Sequence, residues 1–211
     1  MAATQWNDAV TSRDEQRRQK RQAVLSAGAK LFNDQGFERT SLDDIAVELN
    51  VTKRTIYYYV QSKEEILFEC LKLGMEFIEQ VTEELNKSGL PPLERLDEMV
   101  RRYGSWVATD IGACLALTNV SSLSEDRATE LRESKRELNN KMRAMIEDGI
   151  ADGSVNPCDP FIVTAAIYGA LNWIPKWNRR DRQLSHEEIS VAFLQLFMNG
   201  LRRSPAADRA D

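Results

Sequence analysis

The chain has one histidine, His186, and three cysteines, Cys70, Cys114 and Cys158, set far apart with no Cys-x-x-Cys pairing. That scarcity excludes a disulfide framework and a thiolate zinc site, so no metal is expected and the thiols read as reduced and mostly buried. There is no Gly-x-Gly-x-x-Gly run, phosphate loop or His-Glu-x-x-His motif, and no Cys or Ser flanks His186 in a nucleophile pattern. His186 lies in a helix-capping box, Ser185 to Glu188, and reads as a surface residue at a helix start. The acidic pairs Asp43-Asp44, Glu64-Glu65 and Glu187-Glu188 fall in first helical turns, where the helix dipole favours negative charge. Nothing points to an enzyme or to a cofactor. No apolar run approaches the roughly 20 residues that span a bilayer, and Met1 to Ser12 lacks the apolar stretch of a signal peptide. A soluble, cytoplasmic protein away from membranes is the expectation.

What is present is a chain of 211 residues, 42% of them hydrophobic, enough for one large core or two small ones. Its net charge of -5 would by itself argue against a nucleic-acid partner, but the charge is unevenly spread. Residues 13–63 carry ten Lys/Arg against seven Asp/Glu, a balance of +3. The remainder carries 18 against 26, or -8. A mildly basic end therefore sits on an acidic body.

Apolar residues recur at helical spacing almost everywhere, and no stretch alternates as a strand would, so the fold is expected to be all-α with about nine helices. Val24, Ala27, Gly28, Leu31 and Phe32 form one face of a first helix that Gly36 stops. Ser41 with Asp44 makes a capping box for a second, short helix carrying Leu42, Ile45, Ala46 and Leu49. Asn50 tolerates the left-handed conformation of a tight turn, and Thr52 can cap a third helix over residues 53–59. Ser62 with Glu65 caps a long fourth helix. After the break at Gly89-Leu90-Pro91-Pro92, helices are expected at about 93–110, 112–123, 125–152, 159–177 and 186–202. The organisation reads as a flexible tail at 1–12, a DNA-binding module at 13–62, a ligand-binding and dimerisation domain at 63–203, and a second tail at 204–211.

Two short helices joined by a turn of about four residues and braced by a third form the helix-turn-helix, which lays its second helix in the DNA major groove. On that helix Val51, Ile56 and Val60 can face inward. Thr52, Lys53, Arg54, Thr55, Tyr57, Tyr58 and Tyr59 are then left largely outward. Three consecutive tyrosines are costly to expose without a partner, and double-stranded DNA supplies one. Lysine and hydroxyl groups can hold phosphates, arginine can pair bidentately with guanine, and Thr or Tyr can meet a thymine methyl or a phosphate. For Arg13, Arg17, Arg18, Lys20 and Arg21 two readings stand level: contact with phosphates or a minor groove, or a solvated helix start.

The runs from Gly36 to Ala46, from Val51 to Val60 and from Ser62 to Leu67 resemble the TetR family of bacterial repressors in unbroken register, over roughly residues 15 to 70. That resemblance implies that Thr40, Thr52, Tyr57, Tyr59 and Lys63 touch phosphates and that Arg54, Thr55 and Tyr58 face bases. Two residues depart from the family pattern: Arg54 stands where Gly is usual and Val60 where Phe is usual. Arg54 is either a guanine reader or an extra phosphate clamp, and Val60 alters packing alone.

In the second half, Tyr103, Trp106, Met142, Trp173 and Trp177 are either plain core or the lining of a ligand pocket, since periodicity does not separate the two. Pro175 should kink or end its helix. The Asn172-Trp173, Pro175 and Trp177 pattern resembles TetR regulators that sense acyl-coenzyme A thioesters or related lipid-derived acids. The last helix carries two apolar rows. Ile189, Phe193, Leu196, Phe197 and Gly200 can serve the core; Val191, Leu194, Met198 and Leu201 can serve a two-fold four-helix interface with a second copy. The expectation is a homodimeric repressor of a palindromic operator, released when a small apolar or amphipathic effector fills the second half. A TetR-like activator, or a helical adaptor that binds no DNA, is the alternative.

Overall fold

The computed structural model describes residues 13–118, 120–177 and 185–201. The expected tails at 1–12 and 204–211 lie outside the described residues, as does the side chain of Trp177. Among the described residues the fold is all-α, with nine α-helices and no strand. They are α1 (Arg13–Gln35), α2 (Leu42–Glu48), α3 (Lys53–Tyr57), α4 (Lys63–Lys87), α5 (Pro92–Val107), α6 (Asp110–Leu117), α7 (Glu125–Ala151), α8 (Pro160–Trp177) and α9 (His186–Leu201), with a 3-10 turn at Val120–Ser122. No helix among them is long and apolar enough to cross a membrane.

The expected punctuation is in place. Gly36, at φ 90°, follows α1 and donates its N–H to the Phe32 carbonyl at 3.0 Å. Ser41 and Asp44 complete a reciprocal capping box on α2, and those hydrogen bonds hold the Asp44 carboxyl below the usual carboxylate range. Asn50 takes φ 53°, the left-handed turn expected of it. That turn also corrects one expectation. It swings Val51 outward to an exposed position, and the interior of the module is filled by Ile56 and Val60, both buried.

The boundaries after α4 differ from the sequence reading at one corner. A helix expected to run to about 110 ends at Val107, because Thr109 caps a new helix by accepting the Gly112 N–H at 3.0 Å. Gly112 lies so close to the Trp106 carbonyl that a Cβ there would overlap it. This tight corner turns α6 back so that it packs on both α1 and α4. Asn33 on α1 reaches the Asp110 carbonyl at 2.8 Å, tying the two helices end to side. Helix α8 is described to Trp177, two residues past Pro175, which lies buried in its last turn.

One contiguous apolar core runs from Val24 through α4 and α5 to Leu201. Leu194, Met198 and Leu201 belong to it, each buried within the single protomer. This corrects the assignment of the two rows on α9. Ser190, Leu194, Met198 and Leu201 fall on the side that packs against α5 and α8, while Leu196, 66% exposed, faces out with Val191 and Gly200.

Candidate functional site

Helix α3 is held by its neighbours so that one side of it meets solvent. Ile56 plugs it into the module, and the Thr52 hydroxyl accepts the Thr55 N–H at 3.3 Å to cap it. Lys53 Nζ lies 2.6 Å from Asp43 Oδ2, bridging α2 and α3, and that hydrogen bond raises the lysine pKa. Tyr57 and Tyr58 are 52% and 64% exposed, and neither has a hydrogen-bond partner among the described residues. Arg54 is exposed and makes no ion pair among them, so its guanidinium is available. Thr55 and Tyr59 are half-buried, and Tyr59 packs on the core.

Two other expected contact residues turn inward. Thr40 is only 2% exposed; its hydroxyl lies 2.9 Å from the Gly36 carbonyl and 3.4 Å from that of Leu31. Its side chain therefore closes the α1–α2 loop, and a role for its hydroxyl at a phosphate has no structural support. Lys63 donates Nζ to the carbonyls of Phe37 and Glu38 at 2.9 and 3.2 Å and lies 4.4 Å above the Phe37 ring. It fastens the start of α4 to the same loop. A shallow groove beside α3 gathers Lys53, Tyr57 and Lys63 with Arg39, Ser41 and Gln61. The last three were not singled out from the sequence. A cation or hydroxyl inside the module's own loops was the available signal. Of the basic cluster on α1, Arg21 is an internal brace, 3.3 Å from both Glu65 and Glu69 of α4.

The second half encloses a cavity of about 660 Å3, within the range of roughly 300–1,000 Å3 typical of small-molecule sites. Helix α4 contributes Leu71, Met75 and Ile78; α5 contributes Tyr103; the end of α6 contributes Leu115, Ala116 and Leu117, with Thr118. Helix α7 adds Leu131, Lys135, Leu138, Asn139 and Arg143, and α8 adds a row from Phe161 through Thr164, Ala165, Tyr168 and Asn172 to Lys176, with Gly169 beside it. Tyr103 donates its hydroxyl to Asn172 Oδ1 at 2.5 Å, and its ring meets Tyr168 edge-on at 5.1 Å.

Residues 24–70 match the family model described as bacterial regulatory proteins, tetR family. Residues 89–201, more than half of the chain, match the model described as tetracyclin repressor-like, C-terminal domain. The chain belongs to the TetR family. Among its TetR relatives, the transcriptional regulator HbdR of Aromatoleum sp. (strain CIB) is 29% identical over 160 residues, which cover 75% of this chain and 69% of that one. The solved ketosteroid transcriptional regulator KstR2 of Mycobacterium tuberculosis superposes with a TM-score of 0.78 at 20% identity, covering 88% of this chain and 96% of that one. The structure of AibR in complex with isovaleryl coenzyme A and operator DNA superposes with a TM-score of 0.71 at 26% identity, covering 83% and 96%. The chain is thus a TetR-family helix-turn-helix transcriptional regulator, and DNA-binding regulation is its coarse function.

Within this TetR regulator the aromatic residues singled out from the sequence separate. Tyr103 alone of the five lines the cavity. Trp106 stacks on Phe77 at 5.4 Å and fills the space over Gly74, where a Cβ would come within 2.5 Å of its ring. Met142 is buried in the core. Trp173 is 56% exposed on the outer side of α8, with Lys176 Nζ 4.7 Å from its ring. Trp177 cannot be placed, since its side chain lies outside the described residues. The polar lining of Arg143, Thr164, Tyr168 and Asn172 carried no periodic signature, and only packing reveals it.

Proposed function

We propose that the protein is a homodimeric repressor that holds a palindromic operator when empty and leaves it when a small apolar or amphipathic effector fills the cavity. In this reading residues 13–62 are the DNA module and the rest is the effector and dimer domain. Thr52, Lys53, Tyr57, Tyr59 and Lys63 act toward phosphates, and Arg54, Thr55 and Tyr58 face bases, with Tyr57, Tyr58 and Arg54 the most available. Thr40 acts by holding the loop that carries them. The acyl-thioester class of effector draws support from AibR, whose complex with isovaleryl coenzyme A and operator DNA shares this fold at 26% identity.

The observation that carries the effector reading is that the cavity and the DNA module share two helices. Helix α4 lines the cavity with Leu71, Met75 and Ile78, and at its other end Lys63 grips the α1–α2 loop. Helix α6 lines the cavity with Leu115 to Leu117 and packs on α1, with Asn33 bonded to its first residue. A ligand that prefers a conformer with α4 or α6 displaced moves the recognition helix, and its differential affinity sets the coupling, commonly about 1–3 kcal/mol. The dimer is supported by a second row on α8. Ile162, Ala166, Gly169 and Trp173 are all exposed at helical spacing, and Leu196 and Val191 are exposed on α9.

Fluorescence anisotropy of a labelled promoter fragment, with and without candidate effectors, tests the proposal. Saturating effector is expected to weaken operator affinity roughly 5- to 150-fold. An effector that occupies the cavity and leaves DNA affinity unchanged contradicts the release mechanism.

A further inference from the structure

The cavity contains three hydrogen-bonding groups that find no partner among the described residues: the Tyr168 phenol oxygen, the Thr164 hydroxyl and Nε of Arg143. Thr164 is only 3% exposed, and burial pushes the pKa of the Tyr168 phenol up, so it stays a neutral donor. Buried polar groups are nearly always satisfied in a folded protein, and a cluster of unmet ones in a single cavity marks a place where something else completes them.

The charge of the lining points the same way. Lys135, Arg143 and Lys176 all line this cavity, and no Asp or Glu lines it. None of the three is within ion-pair distance of a carboxylate among the described residues. Yet the protein outside residues 13–63 has an excess of acid. Other cations in that part are paired: Arg95 with Asp148, Arg102 with Glu84, Arg127 with Glu64, and Lys141 with Glu79. Arg143 also lies 4.9 Å over the Phe161 ring, which holds its guanidinium flat and ready for a planar anion.

We infer that the effector is an anion with an apolar tail, its negative group bound by Arg143 with Lys135 and Lys176. An acceptor oxygen next to that group takes hydrogen bonds from Tyr168 and Thr164, and the tail lies against Leu71, Ile78 and Leu138. This rests on the effector reading above and narrows it, since a neutral lipid leaves the three cations and the two hydroxyls unanswered. The shared chemistry is an acyl chain ending in negative charge, whether a free carboxylate or the polyphosphate of a coenzyme A thioester.

The test is calorimetric titration of the full chain with octanoate, octanoyl-coenzyme A and octan-1-ol, repeated at several salt concentrations and followed by operator release. One or both anions are expected to bind with an affinity that falls as salt rises, and octan-1-ol to bind more weakly without salt dependence. Which anion binds tells the carboxylate source from the thioester source. Arg143→Gln is expected to weaken anion binding about tenfold or more, with Arg143→Lys recovering part of it. Tyr168→Phe is expected to weaken it about three- to tenfold while leaving the melting temperature of the empty protein unchanged or higher, because the hydroxyl has no internal partner to lose. If the alcohol binds as tightly as the anions and Arg143→Gln changes neither, or if no probe binds, the inference is overturned. If the anions bind through Arg143 and the operator is still held, the inference stands and the release mechanism fails.

Discussion

Arg54 and Lys63 are cations within one small module, and their surroundings give them different work. Arg54 is exposed with no internal ion pair, so its guanidinium can approach a base edge. Lys63 is committed to two backbone carbonyls and a ring, so it sets where the α1–α2 loop stands relative to α4. Arg54→Ala is expected to relax preference at particular operator positions by about 1–3 kcal/mol each, whereas Lys63→Ala should weaken binding to every sequence alike. Binding to a panel of single-base operator variants distinguishes them, and a uniform loss from both changes would sink the assignment of Arg54 to a base.

At the scale of elements, α6 is the unexpected part. It is eight residues long and begins only because Thr109 caps it where a continuous helix was expected. Its start is pinned to α1 through Asn33 and its end forms a wall of the cavity. The corner that permits this depends on Gly112, since any side chain there meets the Trp106 backbone, which cannot step aside as a flexible side chain could. Gly112→Ala is therefore expected to destabilise the protein by about 1–3 kcal/mol in urea unfolding and, where it folds, to shift operator affinity even without effector. Unchanged stability together with unchanged operator binding would show that α6 does not transmit.

For the whole molecule, the outward rows of α8 and α9 decide whether two recognition helices can be set about 34–36 Å apart, the spacing of successive major grooves. Leu196 is the most exposed large apolar residue of α9, and Gly169 of α8 has open space above it. Leu196→Glu places a charge on that surface without touching the protomer's core. Sedimentation should then report a monomer, with operator affinity lowered in step, and a dimer of unchanged affinity would put the interface elsewhere.

The DNA module was legible in the sequence because its signals are local. Ser41 with Asp44, the turn at Asn50, the cap at Thr52 and the cap at Ser62 are each set by residues within a few positions of one another. Helix count followed from periodicity for the same reason. Which side of a helix faces what did not follow, because that depends on partners distant in the chain. Val51 turned outward at Asn50, Thr40 and Lys63 were drawn to loop carbonyls, and Leu194, Met198 and Leu201 went to the core while Leu196 came out. The cavity lies furthest from anything a sequence reading reaches. Its lining comes from five helices, α4 to α8, and Arg143, Thr164 and Tyr168 become one polar site only when α7 and α8 pack together. Local hydrogen bonding and apolar spacing determined the elements. Burial, which is a property of the assembled molecule, decided which side chains were left to meet DNA and effector.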